Sequence, residues 1–121
     1  MADSPKKTER QKFEDDSDFR RVYANNVKFE NMATDCTLNF GITRPDEPTL
    51  RHTAVTLSWP YAKLLIFYLA ANVAIHEAEM GTKIQIPTKL LPNPPSEDPQ
   101  GLTPTNLAAV ERVYDDFLKS L

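Results

Sequence analysis

The chain has 121 residues, 40% of them hydrophobic, and carries 14 Lys and Arg against 17 Asp and Glu for a net charge of -3. That length fits one domain with a modest core, of a size often helped by self-association. The balanced charge offers no basic field to a phosphate backbone and argues against a nucleic-acid partner.

Lys6, Lys7, Glu9, Arg10 and Lys12 stand where the apolar region of a signal peptide would be. The single cysteine, Cys36, forms no internal disulfide and fits a reducing cytoplasm. The longest uncharged apolar run, Leu64 to Ile75, is far shorter than the roughly 20 residues that a membrane crossing requires. A soluble, cytoplasmic protein with no membrane partner is expected.

Residues 1–18 are charged, mixed in sign and nearly free of large apolar residues apart from Phe13. Such a segment buries too little surface to offset its ordering entropy, so a disordered tail is expected. Phe19 to Glu30 reads as a first strand, with Val27 and Phe29 alternating with Asn26, Lys28 and Glu30. Asn31 to Ala33 provides a turn. Cys36, Leu38, Phe40 and Ile42 then alternate with Asp35, Thr37, Asn39 and Gly41, the pattern of a strand with one buried and one wet face. Arg44-Pro-Asp-Glu-Pro48 makes a polar loop. Arg51 to Ser58 forms a third strand, with Thr53, Val55 and Leu57 on one face.

Ser58 caps a long helix over 59–80, Pro60 lies in its first turn, and Gly81 supplies a left-handed stop. At 100° per residue, Leu64, Tyr68, Ala71 and Ile75 form one apolar stripe and Ile66, Leu69, Val73 and Met80 another. Only a narrow face through Lys63, Ala70, Ala74 and Glu77 tolerates solvent. A helix so apolar must be covered on more than one side: by a small sheet packed on one stripe, and by a second copy of the chain on the other. Lys83 to Pro87 is a short extended piece. Residues 87–104 hold six of the ten prolines and argue for a semi-rigid, largely extended linker without helix. Thr103 and Pro104 open a last helix whose Leu107, Val110, Tyr114, Phe117, Leu118 and Leu121 recur at three- and four-residue steps.

The expected fold is therefore α+β: a small antiparallel sheet of three or four strands packed against one long central helix, plus a C-terminal amphipathic helix. The expected parts are the tail (1–18), a strand-strand-strand-helix domain (19–87), a proline-rich linker (88–103) and the terminal helix (104–121).

Catalytic chemistry finds little support. His76 and Glu79 share a helical face with Asn72 one turn before, but Met80 stands where a zincin helix needs its second His, and the other histidine is His52. Cys36 is in phase with Leu38 and Phe40 and reads as a small packed side chain rather than a nucleophile. Asp15-Asp16, Asp46-Glu47 and Asp115-Asp116 are neighbours in sequence, not dyads across a cleft, and three glycines cannot build a phosphate loop. No metal, cofactor or enzymatic activity is expected. Trp59, beside Tyr61, either seals the end of a core or anchors a partner.

The expected interface residues are Ile66, Leu69 and Val73 on the long helix and Leu107, Val110, Tyr114, Phe117 and Leu118 on the last one. That last helix has three destinations open to it: its own chain, a neighbouring protomer or a groove on another protein. A homo-oligomer, a dimer first, acting as a non-catalytic protein-interaction module is expected.

Tyr23-Ala-Asn-Asn-Val27, Leu38-Asn-Phe-Gly41, Val55-Thr-Leu-Ser-Trp-Pro-Tyr-Ala-Lys63 and Glu79-Met-Gly81 resemble a small bacterial and archaeal family known as domain of unknown function 3467. The resemblance covers about residues 20–86, and Trp59 is an insertion between Ser58 and Pro60. It implies a compact strand-strand-strand-helix module and no activity. Pro60-Tyr-Ala62 and the order of elements are also similar to the SecB-type export chaperone. That likeness implies dimers or tetramers holding client polypeptides on apolar surface.

Overall fold

The computed structural model describes residues 11–97 and 101–121. Three strands, β1 (Asn26–Asn31), β2 (Asp35–Ile42) and β3 (Leu50–Ser58), precede a long helix, α1 (Trp59–Met80), and a terminal helix, α2 (Pro104–Ser120). The protein is thus α+β with a small antiparallel sheet. Packing divides the chain into a unit that ends at Ala62 and a unit from Lys63 to Leu121.

In the first unit the strands form an antiparallel meander in the order β1-β2-β3. Leu38 opposes Phe29 on β1 and Val55 on β3, while Phe40 opposes Val27 and Thr53. Opposed residues share a face, so these side chains make the apolar face. The other face is polar: the Thr37 and Thr56 hydroxyls lie 2.8 Å apart, and Asn39 Nδ2 donates to Glu30 Oε1 at 3.0 Å.

The first strand is shorter than expected, beginning at Asn26 rather than Phe19. The reason is Asn25. Its Oδ1 accepts from the Thr43 N–H at 2.7 Å and its Nδ2 donates to the Thr43 carbonyl at 3.0 Å, so a side chain takes the place of the next backbone pair. Asn25→Ala removes both bonds, and a loss of about 1–2 kcal/mol is expected at this exposed site. A urea midpoint that does not move would contradict it.

The turn falls at Met32–Thr34, one residue later than the spacing predicts, because Asn31 still pairs with Cys36. β3 begins one residue earlier, at Leu50. The β2–β3 register shifts between Phe40 and Gly41, whose partners are Thr53 and Arg51, leaving His52 as the extra residue of a bulge. The His52 Nε2 donates to the Tyr23 carbonyl at 2.9 Å, and its Nδ1 lies 2.7 Å from the Thr53 hydroxyl, accepting from it when the ring is neutral. Trp59 closes the end of this unit: its indole N–H donates to the Met32 carbonyl at 2.8 Å.

Ser58 Oγ accepts from the Tyr61 N–H at 3.3 Å and caps α1 as expected. Gly81 ends the helix at φ +72°, with its N–H and that of Thr82 both donating to the Glu77 carbonyl. Glu77 departs from its expected place on a solvent face. It is half-buried, and its carboxylate accepts from the Ile84 N–H at 2.7 Å, which folds the chain back after the helix stop.

The proline-rich linker is not free of helix. Thr88–Leu90 and Pro95–Glu97 form single 3-10 turns. Such turns need only i to i+3 bonds: Leu90 and Leu91 donate to the Pro87 and Thr88 carbonyls, and Glu97 donates to the Pro94 carbonyl, so the prolines serve as acceptors and their missing N–H groups do no harm. Thr103 caps α2, accepting from the Asn106 N–H at 3.1 Å, with Pro104 at the first position. The tail expected over 1–18 lies outside the described residues up to 10. From 11 to 18 the chain is exposed and carries an Asx turn at Asp16.

Candidate interaction surfaces

Cys36, at 2% exposure, is the only buried hydrophobic residue among those described. Its position near the start of the central strand β2, between Asn31 and Leu57 on the two neighbouring strands, removes the thiol from solvent, as its phase with Leu38 and Phe40 predicts. The large apolar side chains otherwise remain half-buried or exposed.

The sheet's apolar face is the first such surface. Leu38, Phe40 and Leu57 are half-buried on it, and Phe29 is 57% exposed. Every residue of β1 is exposed, and among the described residues it is an edge strand paired with β2 alone.

The second surface is α1. No residue of this helix is buried. Leu64, Ile66, Phe67, Tyr68, Leu69, Val73, Ile75 and Met80 are 45–69% exposed. At roughly 100 Å² each, they present on the order of 800 Å² of apolar side chain, divided between two stripes, each of a size with the largest patch of a typical monomer, about 300–600 Å². Of the expected interface residues on this helix, Ile66 is 69%, Leu69 58% and Val73 45% exposed. Phe67 and Tyr68 meet edge to face, with centroids 5.7 Å apart.

The third surface belongs to α2. Leu107, Tyr114 and Phe117 are half-buried, and Val110 and Leu118 are about 40% exposed. The 3-10 turn at Pro95–Glu97 packs against the helix. Together they frame an open groove of about 550 Å³ lined by Pro92, Pro95, Leu102, Val110, Tyr114 and Phe117, with Val113 at its rim. Val113 lies off the predicted stripe, one step round the helix from Phe117, and periodicity alone did not select it. A second cleft, of about 460 Å³, is lined by Val73, Glu77, Ile84, Phe117 and Leu121. It brings together one expected interface residue from each helix, Val73 and Phe117. Ile66 and Leu69 line neither space.

Polar chemistry gathers nowhere comparable. Asn72 Nδ2 donates to the Tyr68 carbonyl of its own helix at 2.8 Å, which turns its side chain back along α1. Among the described residues no three His, Cys, Asp or Glu side chains come together as a metal would require, and no helix is long and apolar enough to cross a membrane. Compared with protein-family models, with curated proteins and with solved structures, the chain matches none.

Proposed function

We propose that the protein is a non-catalytic, homo-oligomeric assembly module, with a dimer as its basic state, self-associating through α1. The observation that carries this reading is the openness of Ile66, Leu69 and Val73 in a chain where, among the described residues, Cys36 alone is a buried hydrophobic. Fully burying one such side chain contributes about 1.5–3 kcal/mol. Covering this stripe therefore supplies stability that a chain with so little interior lacks. The stripe's partner is argued to be its own copy because the same apolar chemistry then meets across a two-fold axis.

Light scattering on the purified chain is the direct test. A mass of at least two chains at micromolar concentration is expected, and a stable single-chain mass would end the proposal. A second reading, a chaperone or adaptor of the SecB type, is favoured by the open apolar groove beside α2. On that reading the protein suppresses aggregation of a denatured client at stoichiometric amounts, and removal of residues 104–121 abolishes the suppression.

A further inference from the structure

The edge strand β1 reads as half of a two-fold contact. The Met32 N–H donates to the Asp35 carbonyl at 2.8 Å in the β1–β2 ladder. Backbone groups alternate along a strand, so Glu30 and Lys28 also direct theirs toward β2. Val27, Phe29 and Asn31 consequently direct their N–H and C=O groups outward, along the unpaired edge. Their side chains, by the register, include Val27 and Phe29 on the apolar face, while Lys28 and Glu30 lie on the polar face.

From this geometry we infer that β1 pairs antiparallel with β1 of a second copy, with Phe29 on the two-fold axis. In that register Phe29 exchanges backbone hydrogen bonds with its own counterpart, and Val27 does so with Asn31. Lys28 then stands directly opposite Glu30 of the second copy, twice by symmetry, in the closely spaced positions where opposite charges stabilise and like charges repel. Asn39 holds the Glu30 carboxylate over this polar face at 3.0 Å. The three-stranded sheets join into one continuous sheet, with Phe29 beside its counterpart and a shared apolar face. The other edge, β3, carries Arg51 and His52 and no acid, so a two-fold there has no opposite charges to match.

Area argues the same way. The exposed α1 side chains are divided between two stripes, so one stripe covers on the order of 400 Å² per protomer, about half of a standard interface. A strand contact adds backbone hydrogen bonds and specificity that a helix stripe alone does not provide.

This inference rests on the self-association proposed above, and the test separates the two. Lys28→Glu and Glu30→Lys each place like charges opposite one another, and each is expected to weaken self-association about tenfold. The double swap, K28E with E30K, restores the opposite pairing and the wild-type affinity. The far-UV spectrum of each single variant is the fold control. Independently, K28C chains mixed with E30C chains are expected to form a disulfide-linked pair on a non-reducing gel. Neither variant does so alone, since Cys36 is buried. Wild-type mass of two or more chains, with no cross-link and no effect of charge reversal, would overturn the β1 contact and leave the α1 contact standing. A single-chain wild-type mass would remove both.

Discussion

Leu69→Asp is expected to weaken self-association by roughly three orders of magnitude while leaving the sheet intact. Leu69 is 58% exposed within one chain, so the new carboxylate stays hydrated in an isolated protomer and its fold loses little. In the assembly the same carboxylate is driven into apolar contact. The loss combines about 1.5–3 kcal/mol of forfeited burial with the cost of desolvating a charge, and symmetry counts each substitution more than once. Sedimentation velocity reads the outcome, with the far-UV spectrum as the fold control. Lys63→Glu, on the solvent-tolerant side of the same helix, is the matched control and should retain the wild-type mass. An unchanged sedimentation coefficient for L69D would remove α1 from the interface.

The second large effect falls on the sheet. A Cβ added at Gly41 would collide with the Leu50 carbonyl and crowd the Arg51 Cα, both backbone atoms that no rotamer change moves aside. The close approach comes from the bulge, where β3 swings in around His52. Gly41→Ala must therefore break the β2–β3 register at its loop end. A cost of roughly 3 kcal/mol is expected, near the upper end of overpacking effects, which lowers the melting temperature by about 10–20 °C in a domain this small. The far-UV strand signal should fall with it. L69D changes mass and keeps strand content, whereas G41A loses strand content, so the two variants report on different links between sequence and assembly. A melting temperature within about 2 °C of wild type for G41A would show that the backbone relaxes freely there.

Much of the architecture was legible in local pattern. β2 alternates without a break, and β3 and α1 follow their periodicities to within a residue, because each repeats a single period between strong punctuation: Pro45 and Pro48 before β3, and Ser58 and Gly81 around α1. The β1 boundary was not legible. Phe19 to Asn25 has strand-compatible composition, and what stops the ladder is an asparagine side chain bonding to Thr43, eighteen residues away. Gly41 did leave a signal, since an isolated glycine inside a strand pattern marks a bulge or a close backbone approach. Glu77 left none, because its partner is the backbone of Ile84 after a turn whose direction no local rule sets. Among the expected interface residues, helical period groups Ile66, Leu69 and Val73 on one stripe of α1, and all three are exposed. It could not tell which of the α2 residues would sink toward a groove and which would stay open.

The amino-acid order alone determined the α+β class, the succession of strands and helices, the caps at Ser58 and Thr103 and the left-handed stop at Gly81. These follow from side-chain period, ring constraint and hydrogen-bonding groups acting within a few residues. Tertiary structure decided the bulge at His52, the Asn25–Thr43 pairing, the Glu77–Ile84 bond and the outward aim of the β1 backbone. Each of these depends on which distant segments come to lie side by side, a distance that no local periodicity encodes.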